Sequence, residues 1–206
     1  MKDAHGHEIQ GRTSWRRFAA LGVPGLAGAA ALMVSMASGA FASSFAVSGQ
    51  QFKVSADSLE GTGFAQYGWL DGNARGEANA VAVSAIKDAT LVNLCQSVVT
   101  EFPIIGAFSL NISAGNKGTP VTAKDLFVDA TQLGGDASFS NIEIGRDAST
   151  LDKGPSHAQG MQDLFAQQAD TVSIKDLKQV AWATNAATFR LAGLNLKVNK
   201  GTHECF

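Results

Sequence analysis

The chain has 206 residues, with 16 Lys and Arg against 18 Asp and Glu, a net charge of −2 and 45% hydrophobic residues. This near-balance, with no block of like charge, excludes the basic face that nucleic acid requires and the polybasic patch that holds a protein to anionic lipid. Beyond residue 42 the balance tips to 12 basic and 16 acidic side chains, a mildly acidic domain of net charge about −4.

The chain opens with a polar, basic stretch, residues 1–17, that carries Arg12 and ends in Arg16-Arg17. An uncharged run follows from Phe18 to Ala42, closing on Ala40-Phe41-Ala42. Basic flank, apolar core and small-x-small exit are the parts of an export signal. The spacing predicts an apolar export helix over 18–42, long enough to cross a hydrocarbon core, with the arginines left on the cytoplasmic side. The run is rich in Ala and Gly with Pro24 near its start, so cleavage after Ala42 and retention as a single-pass anchor both stay open. Residues 43–206 are expected outside the cytoplasmic membrane, secreted after cleavage or tethered if the run is kept. His5 and His7 read as solvated tail residues, since two histidines do not make a metal site.

About 164 residues remain after Ala42, the size of one domain with a hydrophobic core. They read as strands. Gln51–Ala56, Ala80–Ile86, Ala107–Ser113, Ala137–Ile144, Thr188–Leu191 and Gly193–Val198 alternate apolar and polar residues, the period of a sheet with one buried face. Alternation places Phe52, Val54, Val81, Val83, Phe108, Leu110, Ile112, Phe139, Ile142, Ile144, Leu194, Leu196 and Val198 in the core. Turn signals fall at Asp71-Gly72-Asn73, Gly115–Gly118, Gly134-Gly135 and Asn199–Gly201. A weak repeat joins Val83–Ala89, Val121–Leu126 and Val172–Leu177, each a strand running into Lys-Asp and an apolar residue; Val54–Leu59 is a fourth copy. We read the Lys-Asp pairs as wet corners at strand ends. The repeat favours a mainly β, solenoid-like stack of strands, with a β-sandwich as the alternative. One short helix is expected between Ser156 and Asp170, centred on Met161–Gln168.

Chemistry is sparse. Gly154-Pro-Ser156-His157-Ala158 has the outline of a hydrolase nucleophile elbow, but Ala158 stands where the turn needs glycine and the approach is polar. Ser156 is better read as a helix N-cap. Asp71-Gly-Asn73-Ala-Arg75-Gly76 begins like a calcium loop and fails at Arg75 and Ala82. Phe64, Tyr67 and Trp69 are read as core. No catalytic residue, cofactor site or metal site is assigned. The two cysteines, Cys95 and Cys205, are an even pair in an exported chain and predict a disulfide that ties down the C-terminus.

Trp15-Arg-Arg-Phe18 entering the apolar run, Ser44–Ala56, Gly61–Gly68 and the terminal Glu204-Cys205-Phe206 together resemble a family of small exported actinobacterial envelope proteins of unknown function, often labelled "cholesterol esterase". The resemblance implies an envelope protein whose partner is a small polytopic membrane protein, and it carries over no catalytic residue. The expectation is a non-enzymatic protein that works by binding or assembly, with lipid a second partner. The rivals are an esterase on sterol or lipid esters, and a carrier that holds an apolar ligand between strands.

Overall fold

The computed structural model describes residues 48–206. The export-signal residues Arg16, Arg17, Ala40 and Ala42 lie outside the described residues. Nine strands follow in chain order: β1 Phe52–Gly72, β2 Ala78–Val92, β3 Leu94–Phe102, β4 Gly106–Ala114, β5 Val121–Ser140, β6 Glu143–Asp147, β7 Phe165–Asn185, β8 Thr188–Arg190 and β9 Asn195–Lys200. All pairings are antiparallel, in the order β6-β7-β5-β2-β1-β3-β4-β9, with β8 on β5 and an additional pairing of β7 with β1. The extra pairing closes a ring, β1-β2-β5-β7, from the four long strands. The three-stranded extension β3-β4-β9 leaves it along the start of β1.

The solenoid expectation is thereby corrected. β2, β5 and β7, which carry the Lys-Asp copies, are neighbours but run antiparallel, whereas a stacked solenoid needs parallel neighbours. The sandwich alternative is corrected too, because one continuous sheet closes on itself instead of two sheets facing each other.

A ring of four strands leaves little interior. Its lining therefore mixes small residues among larger ones: Ala56, Ala89, Ala123, Ala130, Ala169 and Ala181 are buried with Val54, Leu59, Phe64, Ile86, Val121, Leu126, Val172 and Leu177. At Gly61 a Cβ would stand 2.6 Å from Ile86 Cγ2 and 3.1 Å from Val172 Cγ1. No larger residue fits there without displacing these side chains of the two neighbouring strands, β2 and β7.

The repeat has a different meaning from the one its sequence suggests. The Lys-Asp pairs lie inside the long strands, not at their ends. In each copy two outward residues separate residues that are buried: Ala56 and Leu59 around Asp57-Ser58, Ile86 and Ala89 around Lys87-Asp88, Ala123 and Leu126 around Lys124-Asp125, Ile174 and Leu177 around Lys175-Asp176. Each pair shifts the alternation by one, so the strand turns its other set of side chains inward. Asp125 (φ 48°) and Asp176 (φ 51°) do this with left-handed backbone, which Asp tolerates and β-branched residues do not. The copies align in two pairs, between paired residues: Lys87 of β2 faces Asp125 of β5, and Asp57 of β1 faces Asp176 of β7, while the other side of Lys87 meets Gly63 of β1. Long strands bend there, which a narrow ring demands. Lys124 and Asp88 also meet at 3.8 Å, but both are exposed and the pair contributes little.

The helix expectation also fails. Among the described residues the sole helical turn is the 3-10 segment Ala148–Thr150. His157 (φ 68°) and Asp163 (φ 64°) interrupt any helix over 156–170, and Phe165 already begins β7. Residues 148–164 instead form a strap. Ala148 N–H donates to Leu164 O at 2.9 Å, and Gly160 N–H to Ala148 O at 2.9 Å. Gln168 of β7, fully buried, holds the strap: its Oε1 accepts from Asp152 N (2.9 Å) and Lys153 N (3.1 Å), and its Nε2 donates to Glu143 and Asp152. Beneath the strap lies a second core: Ala65, Tyr67, Val81, Val83, Ala85 and Ala166 against Ala148, Leu151 and Ala158.

The bend model makes a direct prediction. Asp125→Val should cost roughly 1–3 kcal/mol through left-handed strain, whereas Asp125→Asn and Asp125→Gly should stay near neutral. Urea midpoints of the three variants check it, and equal midpoints for Val and Asn would refute it.

Candidate functional site

β1 feeds both the ring and the extension. Val54 points into the ring and pairs with Gln96, which pairs with Ile112, which pairs with Leu196. Directly opposed residues in an antiparallel sheet share a face. The ring's inner face therefore runs out across β3-β4-β9, carrying Val98, Leu110 and Val198 in the next row and Thr100, Phe108 and Lys200 beyond it. Inside the ring this face is enclosed. On the extension it is not: Leu196 is 57% and Val198 63% exposed, with Leu194 and Phe102 also exposed. The result is an apolar shelf ending at the free edge of β9. Phe102 and Phe108 meet edge-to-face on it, ring centroids 6.0 Å apart.

Of the thirteen residues that alternation places in the core, only Val54, Val81 and Val83 are fully buried. Phe52, Phe108, Leu110, Ile112 and Phe139 are half-buried, while Ile142, Ile144, Leu194, Leu196 and Val198 are exposed. The alternation is real; on the extension no second layer covers it.

The opposite face of the extension is covered by the C-terminal tail. Ser109, fully buried, donates to Gly201 O at 2.6 Å and accepts from His203 N at 2.7 Å; buried Ser97 accepts from Cys205 N at 3.0 Å. Cys95 and Cys205 are bonded, Cα atoms 5.9 Å apart, as the cysteine count predicts. Lys53 Nζ joins Glu204 at 2.9 Å and lies 5.1 Å from the centre of the Phe206 ring. Unlike the shelf, this face has a complete set of partners.

The shelf ends in the β3–β4 hairpin. Its tip runs Phe102-Pro103-Ile104-Ile105-Gly106. Ile104 has φ 78° and is 105% exposed; Ile105 is 56% exposed. A β-branched residue in left-handed backbone costs about 1–3 kcal/mol, and here no contact within the fold offsets it.

A second cluster lies on the strapped side. Tyr67, Trp69 and Asp71 alternate on β1, beside Val81 and Asn79 of β2 and Asp129 of β5. The Asp71 and Asp129 side chains lie close enough to influence each other's ionisation. Burial first, and then the neighbouring Asp71 charge, push Asp129 up to about 7; burial also raises Asp71. Burial, helped by Asp129, pushes the Tyr67 hydroxyl up to about 12. Asp71 Oδ2 and Asn79 Nδ2 are buried without a hydrogen-bond partner. Sequence reasoning did not find this pair, because its members are 58 positions apart and only the β1-β2-β5 register unites them.

The weaker sequence signals resolve plainly. Asp71–Gly76 is the β1–β2 turn, where Asn73 Oδ1 accepts from Arg75 N (2.9 Å) and Glu77 N (3.0 Å). Phe64 and Tyr67 are core, as expected. Ser156 and His157 are exposed on the strap. Among the described residues no hydrogen bond joins Ser156 to a histidine, and the ring of His203 contacts Lys200 O instead. Among the described residues no helix is long and apolar enough to cross a membrane.

A sequence family described as a family of unknown function (DUF6230) matches residues 48–206, the whole of the ring, extension and tail. The chain belongs to this family. No curated protein and no solved structure matches the chain. What DUF6230 members do must therefore be argued from the geometry above.

Two predictions follow from these contacts. An acid whose pKa is raised by folding binds its proton more tightly in the native state, so stability is highest below the unfolded value and falls as pH rises towards the folded one. The thermal midpoint should drop between pH 4 and about pH 7, then level off. Asp129→Asn, which mimics the protonated acid, should flatten that fall; an unchanged pH profile would contradict the raised ionisation of Asp129. Separately, Cys95→Ala with Cys205→Ala should lower stability by roughly 2–5 kcal/mol, read from chemical denaturation, with the tail residues 201–206 losing amide protection first.

Proposed function

We propose that the chain is an exported or membrane-anchored cell-envelope protein that acts by binding or assembly, without a catalytic role. The observation that carries this reading is the uncovered shelf. A sheet's inner face, continuous with the core and left without a second layer, marks an interaction surface. Export is supported by the basic flank and apolar run of residues 1–42 and by the disulfide, since disulfides persist in oxidising compartments. The partner favoured by the sequence resemblance is a small polytopic membrane protein, which would offer apolar surface of the matching kind.

The carrier reading finds less support. Small-molecule pockets run to about 300–1,000 Å³; the apolar cavity lined by Val54, Leu59, Leu91, Leu94, Leu126 and Val128 among others has a volume of about 30 Å³, and the roomier cleft, about 420 Å³, is lined by the polar and charged Asp88, Thr90, Thr122, Lys124, Thr188 and Arg190. The esterase reading has Ser156 as its candidate, and among the described residues no hydrogen bond joins it to a base.

A photo-crosslinking residue in place of Leu196, introduced into the full chain in its native membranes, tests the proposal. Adducts to one discrete protein are expected, and Val198→Ser should weaken them. An uncrosslinked shelf would sink the assembly reading. Ester hydrolysis abolished by Ser156→Ala would replace it with the enzyme.

A further inference from the structure

We propose that the tip of the β3–β4 hairpin, Phe102–Ile105, inserts into the surface of a lipid bilayer. This deepens the binding reading above and rests on it: the bilayer would be a partner that the shelf's outer end meets directly.

Three observations point to lipid. First, the tip places its most apolar side chains where folding gives them nothing. Ile104 is wholly exposed, Ile105 and Phe102 are largely so, and Pro103 completes a four-residue apolar run. Second, the backbone at Ile104 is left-handed. Gly or Asn would suit that conformation, and the β1–β2 turn does use Gly76 at φ 80°. A β-branched residue held there is strained for the sake of its side chain.

Third, the sequence ties this hairpin closely to the apolar run of residues 18–42. The described chain begins at Ser48, and Gln50 accepts a hydrogen bond from Thr100 of β3 at 2.9 Å. Thr100 is four residues from Ile104 along the same hairpin. The apolar run ends at Ala42, eight residues before Gln50, and eight extended residues span at most about 28 Å. A bilayer that held residues 18–42 would be tethered by this short linker to the strand that carries the tip.

Charge at the tip is slight. Glu101 is exposed beside Phe102, and Lys200 ends the row of Thr100 and Phe108. Insertion would thus be driven by apolar burial, with Lys200 free to extend its ammonium to the headgroups. It should need no anionic lipid and should survive high salt.

The full chain, reconstituted into phosphatidylcholine vesicles that contain a diazirine-bearing phosphatidylcholine, supplies the test. After irradiation, mass spectrometry should find lipid adducts on the peptide holding Phe102–Ile105, well above those on the polar turn Asn73–Gly76, and unchanged at high salt. Ile104→Asn with Ile105→Ser should cut tip labelling by at least about tenfold, as two buried apolar side chains are lost. The same variant should keep the Cys95–Cys205 bond and lose no thermal stability, because Asn suits the left-handed position. Tip labelling no higher than at Asn73–Gly76, or labelling equal in wild type and variant, would overturn the proposal. That failure is separable from failure of the assembly reading: adducts from position 196 to a protein, with an unlabelled tip, would leave the shelf as a protein-docking face and remove lipid as its partner.

Discussion

Closure of four long strands into one ring is the constraint on which the rest of the structure depends. With so few strands the interior is too narrow for a uniform lining of large side chains, so alanines are mixed among them and Gly61 is used where Ile86 and Val172 crowd in from the strands on either side. The same narrowness forces the strands to bend, and bending is concentrated at two-residue shifts instead of being spread along the chain. Each shift sends two polar side chains outward together. The Lys-Asp copies are thus the sequence trace of a geometrical need.

Because each shift exchanges inside for outside, a single strand serves two cores. Leu59 and Phe64 of β1 face the ring, while Ala65 and Tyr67 face the strap. The strap's position is fixed by polar contacts around Gln168 and by Lys153, which reaches Asp170 at 3.0 Å and Glu143 at 3.2 Å. The carboxyl pair Asp71–Asp129 lies on this second face, beyond the strap's centre, where it is dry enough to keep a proton near neutrality. At the other end of β1 the inner face passes out of the ring and becomes the shelf. One strand therefore connects closed core, strapped core and open surface.

The strand content, the disulfide, the polar turn at Asp71–Gly76 and the core roles of Phe64 and Tyr67 were legible in the sequence, because each depends on local chemistry or on a simple count. The topology was not. Alternation says that a strand has two unlike faces, but not which partner it pairs with, and a repeat of period 30 to 50 residues fits a stack as well as a ring of bent strands. Leu196 and Val198 have the pattern of core residues and lack only a covering layer, which no local signal encodes. Met161, Leu164 and Phe165 show helical spacing by chance; the left-handed backbone at His157 and Asp163 is a tertiary outcome of packing the strap under Gln168. The carboxyl pair needed the register of three strands.

The order in which the ring is assembled has a kinetic consequence. β1 and β5 each present an unpaired edge until β7 arrives, and β7 must bond to both at once, using Thr171–Ala181 for each. Its partners on β1 lie more than a hundred positions earlier in the chain. Contacts of such long sequence separation make folding slow and late. Little of the ring can be stable before residue 181 is available, so the chain should stay open and threadable for most of its synthesis. The ring therefore closes in a single late step, and a chain stopped before β7 would leave β1 and β5 with open edges.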